Sequence, residues 1–245
     1  MRLIRVFVEA TLTPGGRVEL AGSAYEHLTR VLRLGAGDAV TLFNGGGHDH
    51  RCVIAELRRG RAVVDVGAAA PARAESPLAV ALVQGIARGE RMDLVIQKAT
   101  ELGATAIRPV ATERSVVRLD AAMRAKRLAH WRGIMIAACE QCGRARLPEL
   151  AEPVPLVDWL SRPAPPGWLR LQLDPAAPET LPARAAGALA IELLVGPEGG
   201  LTAGEQDTAR QTGYLPSRLG PRVLRSETAA IAALAVLQAT AGDLR

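Results

Sequence analysis

The sequence predicts an α/β architecture with a mostly parallel sheet, preceded by a small β-rich domain. Three observations predict it. From about residue 78 to 240, short apolar runs alternate with longer segments of 3.6-residue periodicity, the pattern of strands alternating with helices around a parallel sheet. Residues 1 to about 66 instead carry short, closely spaced strand-like runs, which suggests a small barrel. Between the two lies Gly67-Ala-Ala-Ala-Pro-Ala-Arg-Ala-Glu-Ser-Pro77, a proline-containing stretch of small residues that reads as a linker. A chain of 245 residues is long enough for two domains. We set them at residues 1–70 and 71–245.

The N-terminal runs are Arg5–Ala10, Asp38–Asn44, Arg51–Leu57 and Arg61–Val66, interrupted by one helical segment, Ala24–Arg33. In that segment His27, Leu28, Val31 and Leu32 follow helical periodicity, while Arg30 and Arg33 point elsewhere. Asn44-Gly-Gly-Gly-His48-Asp-His50 lacks the further ligand that a metal site needs and reads as a glycine hairpin with polar tips. Leu78–Gln84 opens the second domain as a buried strand. Met92–Leu102 is an amphipathic helix with Met92, Val95, Ile96, Ala99 and Leu102 on one face, and Lys98 and Glu101 paired on the other. Ala106–Thr112 is the next strand. Arg114, Arg118, Arg124, Lys126, Arg127 and Arg132 form a basic run, a candidate phosphate track, leading into a helix with the apolar stripe Trp131, Ile134, Met135, Ala138 and Cys142. Pro148–Pro166 reads as a proline-rich connection and Trp168–Leu173 as a strand. The last helix, Thr228–Thr240, is uncharged and apolar nearly all round, so it must be covered on most sides.

Two stretches near the C-terminus carry the chemistry. Ile191-Glu-Leu-Leu-Val195 is a short buried strand that stops at Gly196-Pro-Glu-Gly-Gly200, three glycines and a proline in five residues. Glycine permits close backbone approach and positive φ, and proline stiffens the turn. Thr202-Ala-Gly-Glu205 follows as a capping box that starts a helix. Leu219-Gly-Pro ends a second short strand, and Arg222-Val-Leu-Arg-Ser-Glu-Thr-Ala229 leads into the last helix, with Ser226 as its expected cap and Glu227 in its first turn. Bare-backbone turns at strand ends are where open α/β sheets bind ligands.

These residues resemble those of the SPOUT methyltransferases, and within them the RsmE family of uridine-N3 methyltransferases of small-subunit (16S) ribosomal RNA. The resemblance lies in Leu194-Val-Gly-Pro-Glu-Gly-Gly-Leu201 and Leu219-Gly-Pro-Arg-Val-Leu-Arg-Ser-Glu-Thr-Ala-Ala230, with Arg88-Gly-Glu-Arg-Met-Asp93, Gln97-Lys-Ala-Thr-Glu-Leu-Gly103, Glu113-Arg-Ser-Val-Val117 and Glu140-Gln-Cys-Gly-Arg144. It runs over nearly the whole chain. It implies a deep trefoil knot in the C-terminal domain, a PUA-like N-terminal barrel, S-adenosyl-L-methionine as cofactor, and a homodimer with the last helix at the subunit interface. General topology rules would reject a knot, so only the resemblance implies it. It also implies cofactor binding by Leu194, Val195, Gly196, Pro197, Glu198, Gly199, Leu219, Gly220, Leu224 and Arg225. RNA contacts are expected at His27, Arg30, Arg33, Arg88, Arg91, Arg114 and Arg144. In the implied reaction uridine N3, a weakly acidic imide, gives up its proton before taking the methyl group. Arg225 is the expected cation for the developing charge, and Glu198 and Glu227 are the two candidates for the base.

Composition is compatible with this and excludes rival classes. Net charge is +5, which favours a polyanionic partner, although Lys98 and Lys126 are the only lysines among 30 basic residues and such an arginine bias is partly compositional habit. Aromatics are 3%, too few for an RNP-type stacking sheet. There is no G-x-G-x-x-G fingerprint and no P-loop. Cys139 and Cys142 have no second pair to complete a zinc site and read as reduced, half-buried thiols, so no metal is expected. The N-terminus has no signal-peptide core, and the longest apolar run, Ala229 to Leu237, is too short to span a bilayer, so the expected location is the cytoplasm. The rival readings are a SPOUT enzyme acting on another RNA or atom, such as a tRNA ribose, and a non-catalytic RNA-binding ribosome-assembly factor.

Overall fold

A computed structural model describes residues 4–72, 74–115 and 121–244. The chain forms two compact units. One comprises Met1–Glu75 together with Ile136–Leu147, the other Ser76–Met135 together with Pro148–Arg245.

In the first unit the elements are β1 (Arg5–Phe7), β2 (Arg17–Ala21), α1 (Gly22–Glu26), β3 (Ala39–Phe43), β4 (His48–Arg58), β5 (Arg61–Asp65) and β6 (Ala69–Pro71). The ladder order is β1-β3-β4-β5-β2, with β6 added to β4. Both ends of that ladder place residues, Val6 from β1 and Val18 and Leu20 from β2, in one core with Leu42, Ile54 and Val64, so the sheet curls around its own apolar face. β2 alternates exposed and buried residues, a signal the sequence reading passed over. β6 falls inside the stretch read as linker; it pairs with β4 through His48, Asp49 and His50.

The expected helix at Ala24–Arg33 is a composite. α1 gives way to a π-helical turn, His27–Val31, and Arg33 follows at φ 56°, the only described non-glycine residue with positive φ. Residues 136–147 complete this unit. Cys139 and Ala145 pack on Phe43, and the Phe7 amide donates to Glu140 Oε1 at 3.0 Å. Burial pushes the Cys139 thiol up to about 12, beyond the opposing pull of Arg144, which fits an inert reduced cysteine.

The second unit holds β7 (Ala79–Gly85), α2 (Glu90–Glu101), β8 (Ala106–Ala111), β9 (Glu149–Leu150), β10 (Val154–Pro155), α4 (Leu156–Leu160), β11 (Leu169–Leu173), α5 (Leu181–Ala185), β12 (Ala190–Val195), α6 (Ala203–Gln211), β13 (Leu215–Ser217) and α7 (Ser226–Ala241). α3 (Ala121–Cys142) contributes its first fifteen residues here and its last seven to the first unit. The sheet order is β10-β8-β7-β12-β11-β13, with β9 also on β8, and every pair is parallel. β7 and β12 lie at its centre and are buried almost throughout, as continuous apolar strands must be. The proline-rich connection at 148–166 contains α4, whose Leu156, Trp159 and Leu160 pack against Val83, Leu194 and Tyr214. No helix among the described residues is long and apolar enough to cross a membrane.

Candidate cofactor and active site

The C-terminal ends of β12, β11 and β13 open on one cavity of about 620 Å³, within the range of small-molecule sites. Its first wall is the 196–200 turn, and local chemistry holds that turn in place. Gly85, which ends β7, lies so close to Pro197 that a Cβ would fall 2.6 Å from the proline ring, so only glycine lets the turn close over the strand end. Gly200 takes φ 68° and donates its amide to the Pro197 carbonyl at 2.9 Å. Beyond it, Thr202 and Glu205 form the reciprocal capping box expected of α6.

The second wall is the 218–225 segment leading into α7. Ser226 does not cap α7 through its side chain. Arg225 occupies the cap position, and the Ser226 hydroxyl donates to the Gly196 carbonyl at 2.6 Å while accepting from Gln84 Nε2 at 3.0 Å. The expected cap is therefore a stitch between the two loops. Local sequence suggests a cap because serine favours that position, but the half-buried Gly196 carbonyl at the end of β12 takes its hydroxyl instead.

Eight of the ten residues expected to bind cofactor line the cavity: Val195, Gly196, Pro197, Glu198, Leu219, Gly220, Leu224 and Arg225. The other two support it from behind. Leu194 is in the core under α4 and α6, and a Cβ at Gly199 would sit 3.1 Å from Arg114 Cβ. The sequence reading missed the third wall, formed by Leu173, Asp174, Ser217 and Arg218 at the ends of β11 and β13. A signal was available, since these residues end parallel strands beside the glycine turn, and that is where such sheets bind ligands.

The charged residues divide by what they touch. Glu198 Oε1 accepts from the Arg88 amide at 3.1 Å and from Arg91 Nη1 at 2.9 Å. Burial works to raise its pKa, but these two bonds and one from its own amide outweigh it and hold the carboxyl below its ordinary value. Arg91 Nε also stands 3.8 Å from Glu227 Oε1. The other oxygen, Glu227 Oε2, is buried with no hydrogen-bond partner among the described residues. Arg114 Nη1 donates to the Gly199 carbonyl at 2.9 Å. Arg225 lines the cavity with an exposed side chain and no carboxylate partner among the described residues. Arg88, Arg91 and Arg114 thus brace the 196–200 turn as well as standing at its edge.

The remaining expected RNA contacts lie in the first unit. His27 is half-buried, with Nε2 3.9 Å from Glu140 Oε2. Arg30 is exposed and paired with Glu26, and Arg33 is exposed. Arg144 is 3% exposed, donates to Glu75 and gives its carbonyl to Arg5, so its guanidinium faces protein rather than solvent. Arg118 lies outside the described residues.

Comparison with known proteins fits this geometry. Residues 74–238 match the RNA methyltransferase domain model, and residues 20–67 match the RNA methyltransferase PUA domain model. The chain is 31% identical over 243 residues to ribosomal RNA small subunit methyltransferase E of Buchnera aphidicola, covering 99% of this chain and 98% of that protein. It is 35% identical to the protein of the same name in Mycobacterium tuberculosis over 94% of this chain and 89% of that one. The chain belongs to the RsmE family. Two solved structures that superpose on this RsmE-family chain over 100% of both chains carry S-adenosylmethionine. They are a methyltransferase of Legionella pneumophila, with TM-score 0.94 and 40% identity, and ribosomal RNA small subunit methyltransferase E of Neisseria gonorrhoeae, with TM-score 0.92 and 36% identity. The fit of such a cofactor to this chain rests on its own residues: a glycine-lined turn, an apolar edge at Leu219 and Leu224, and a cavity of suitable volume.

Proposed function

We propose that this chain transfers the methyl group of S-adenosylmethionine to N3 of a uridine in small-subunit ribosomal RNA. The observation that carries the reading is the glycine-cradled cavity between two stitched loops, with Arg225 at its wall and no carboxylate partner for it among the described residues. The cofactor supplies an electrophilic methyl group when bound. Arg225 stabilises the negative charge that builds on the uracil as its N3 proton leaves. Glu198 serves as a brace, because its carboxylate is already held by Arg88 and Arg91. The proton acceptor is Glu227, whose Oε2 has no partner among the described residues and whose Oε1 faces Arg91. A target base must leave its stack to reach such a site, so the first unit, with His27, Arg30 and Arg33, is assigned to flanking RNA.

The trefoil knot and the homodimer belong to the same proposal. Support for the dimer comes from α7. It buries Ala230, Ala233, Leu234 and Leu237, but Ile231, Ala232, Ala235 and Val236 are half-exposed on an uncharged face, which a second copy would cover. A division of labour between an N-terminal RNA-binding domain and a C-terminal methyltransferase domain, and a cytoplasmic location, complete the reading.

The test is methyl transfer from labelled S-adenosylmethionine to small ribosomal subunits and, separately, to bare ribosomal RNA and tRNA, with the modified nucleoside identified by mass. N3-methyluridine in small-subunit RNA is the expected product. A ribose-methylated product, or transfer to tRNA alone, overturns the substrate assignment. Failure to bind the cofactor overturns the enzyme reading in favour of an RNA-binding assembly factor.

A further inference from the structure

A second cavity, of about 570 Å³, lies at the opposite end of the same sheet and shares no lining residue with the first. Its floor is one register row across four parallel strands: Arg170 of β11, Glu192 of β12, Ala81 of β7 and Ala106 of β8. The two alanines leave the volume that larger side chains would fill. Arg170 and Glu192 are 5% and 3% exposed, with Arg170 Nε 2.9 Å from Glu192 Oε1. Tyr214 donates to the same Glu192 oxygen, and Trp159 Nε1 donates to the Tyr214 hydroxyl at 3.3 Å. Desolvating such an ion pair costs several kcal/mol per ion, roughly what the attraction returns, so a purely structural role would be served as well by apolar residues.

The walls concentrate what the rest of the chain lacks. Trp159 and Trp168, two of only three tryptophans, stand here beside Arg108 and Arg162. The Arg162 guanidinium lies 4.8 Å from the centre of the Trp159 ring, and that of Arg108 lies 5.6 Å from it. Arg108 is neutralised by a bidentate bridge to Glu149 at 2.5 and 2.6 Å, and Arg170 by Glu192. Arg162 is exposed and pairs with no carboxylate among the described residues. Three guanidiniums therefore face two carboxylates, leaving one positive charge beside two indoles.

We propose that this cavity binds a nucleoside monophosphate unit, with its base stacked against Trp168 and the Arg162–Trp159 pair and its phosphate on Arg162. A flat π-system suits the aromatic and guanidinium faces, and an anion balances the surplus charge. A free nucleotide and one nucleotide of an RNA strand offer this same chemistry. The inference stands apart from the methyl-transfer reading, because the site neither touches the first cavity nor uses its residues.

The test follows the three indole N–H resonances of the full-length protein while AMP, GMP, UMP or CMP is added, with the first cavity saturated by S-adenosylhomocysteine. Trp159 and Trp168 should shift with Trp131 unmoved. Arg162→Ala should weaken binding by roughly tenfold or more, the scale of a lost charge-assisted contact, and leave S-adenosylhomocysteine affinity unchanged. Ala106→Leu, which fills the floor, should abolish the shifts. A single-stranded RNA tetramer binding at least as well as its mononucleotides assigns the site to RNA, and weaker binding by the tetramer assigns it to a free nucleotide. No shift with any nucleotide at millimolar concentration, equal binding by inorganic phosphate alone, or shifts insensitive to both substitutions would overturn the proposal.

Discussion

At the C-terminal ends of β12, β11 and β13, the first cavity is walled by main chain, glycines and exposed arginines. At the N-terminal ends of the same strands, Arg170, Glu192 and Tyr214 are buried in a closed side-chain network. The difference follows from what each end must satisfy. Strand ends that lead into glycine turns leave their peptide groups in a crevice, where a ligand or a neighbouring hydroxyl such as Ser226 completes them. The other end has buried charges that, among the described residues, meet only the Arg162 and Thr212 carbonyls and the Tyr214 hydroxyl besides each other, so those charges must complete one another. Tyr214 shows the consequence: burial, reinforced by the charge of Glu192, pushes its hydroxyl well up, and it stays protonated as a donor. One end is built to be finished by a partner, whereas the other is finished within the protein and leaves a single surplus cation.

The comparison breaks most readily at the buried end. Glu192→Ala leaves Arg170 charged and uncompensated, and should cost about 3–5 kcal/mol of unfolding free energy in urea denaturation. A loss below about 1 kcal/mol would mean that water already reaches the pair. At the open end, Arg225→Ala should lower turnover by about 10²–10³ with cofactor affinity nearly unchanged, the scale of removing one charge-stabilising donor. A defect confined to cofactor binding, read by calorimetry, would remove Arg225 from the chemistry. Ser226→Ala should cost about 1–3 kcal/mol, because the Gly196 carbonyl and the buried Gln84 amide lose their shared partner, and should also weaken cofactor binding. Thr202→Ala, which removes half of the capping box, should cost about 1 kcal/mol and leave cofactor affinity intact.

The smallest expected effect is of pH. The Glu198 carboxyl is depressed in the folded protein, so its contribution is complete above its ordinary value of 4.5 and is lost as pH falls through the lower folded value. Stability measured from pH 6 to pH 3 should therefore fall less steeply in Glu198→Gln than in the parent protein. Equal slopes would show that Arg88 and Arg91 do not hold the charge.

Much of this was legible residue by residue. The apolar runs at Leu78–Gln84 and Ile191–Val195, the stripe of Met92, Val95, Ile96 and Ala99, and the Thr202–Glu205 box each depend on neighbours within about one helical turn or one strand. The two glycine loops declare themselves locally, whereas the eight of their residues that line the first cavity were named through the family resemblance. Less was legible wherever a residue answers to a distant partner. Ser226 has the local chemistry of a cap, yet its hydroxyl is claimed by the Gly196 carbonyl thirty residues away. Arg144 carries the charge of an RNA contact, but Glu75 and the fold around it enclose its guanidinium.

By itself, then, the sequence determined the alternation of strand and helix, the two glycine loops and the family resemblance. All of these are written in short-range periodicity, in backbone permissiveness and in ordered motifs. Only the tertiary structure decided that Gly85 must be bare to admit Pro197, and that Glu198 is braced while Glu227 Oε2 has no hydrogen-bond partner among the described residues. It also decided that Arg170, Glu192, Ala81 and Ala106 fall in one row. The physical reason is common to all three. Contacts across a parallel sheet join residues far apart in the chain, and their register comes from packing the whole sheet rather than from any one strand.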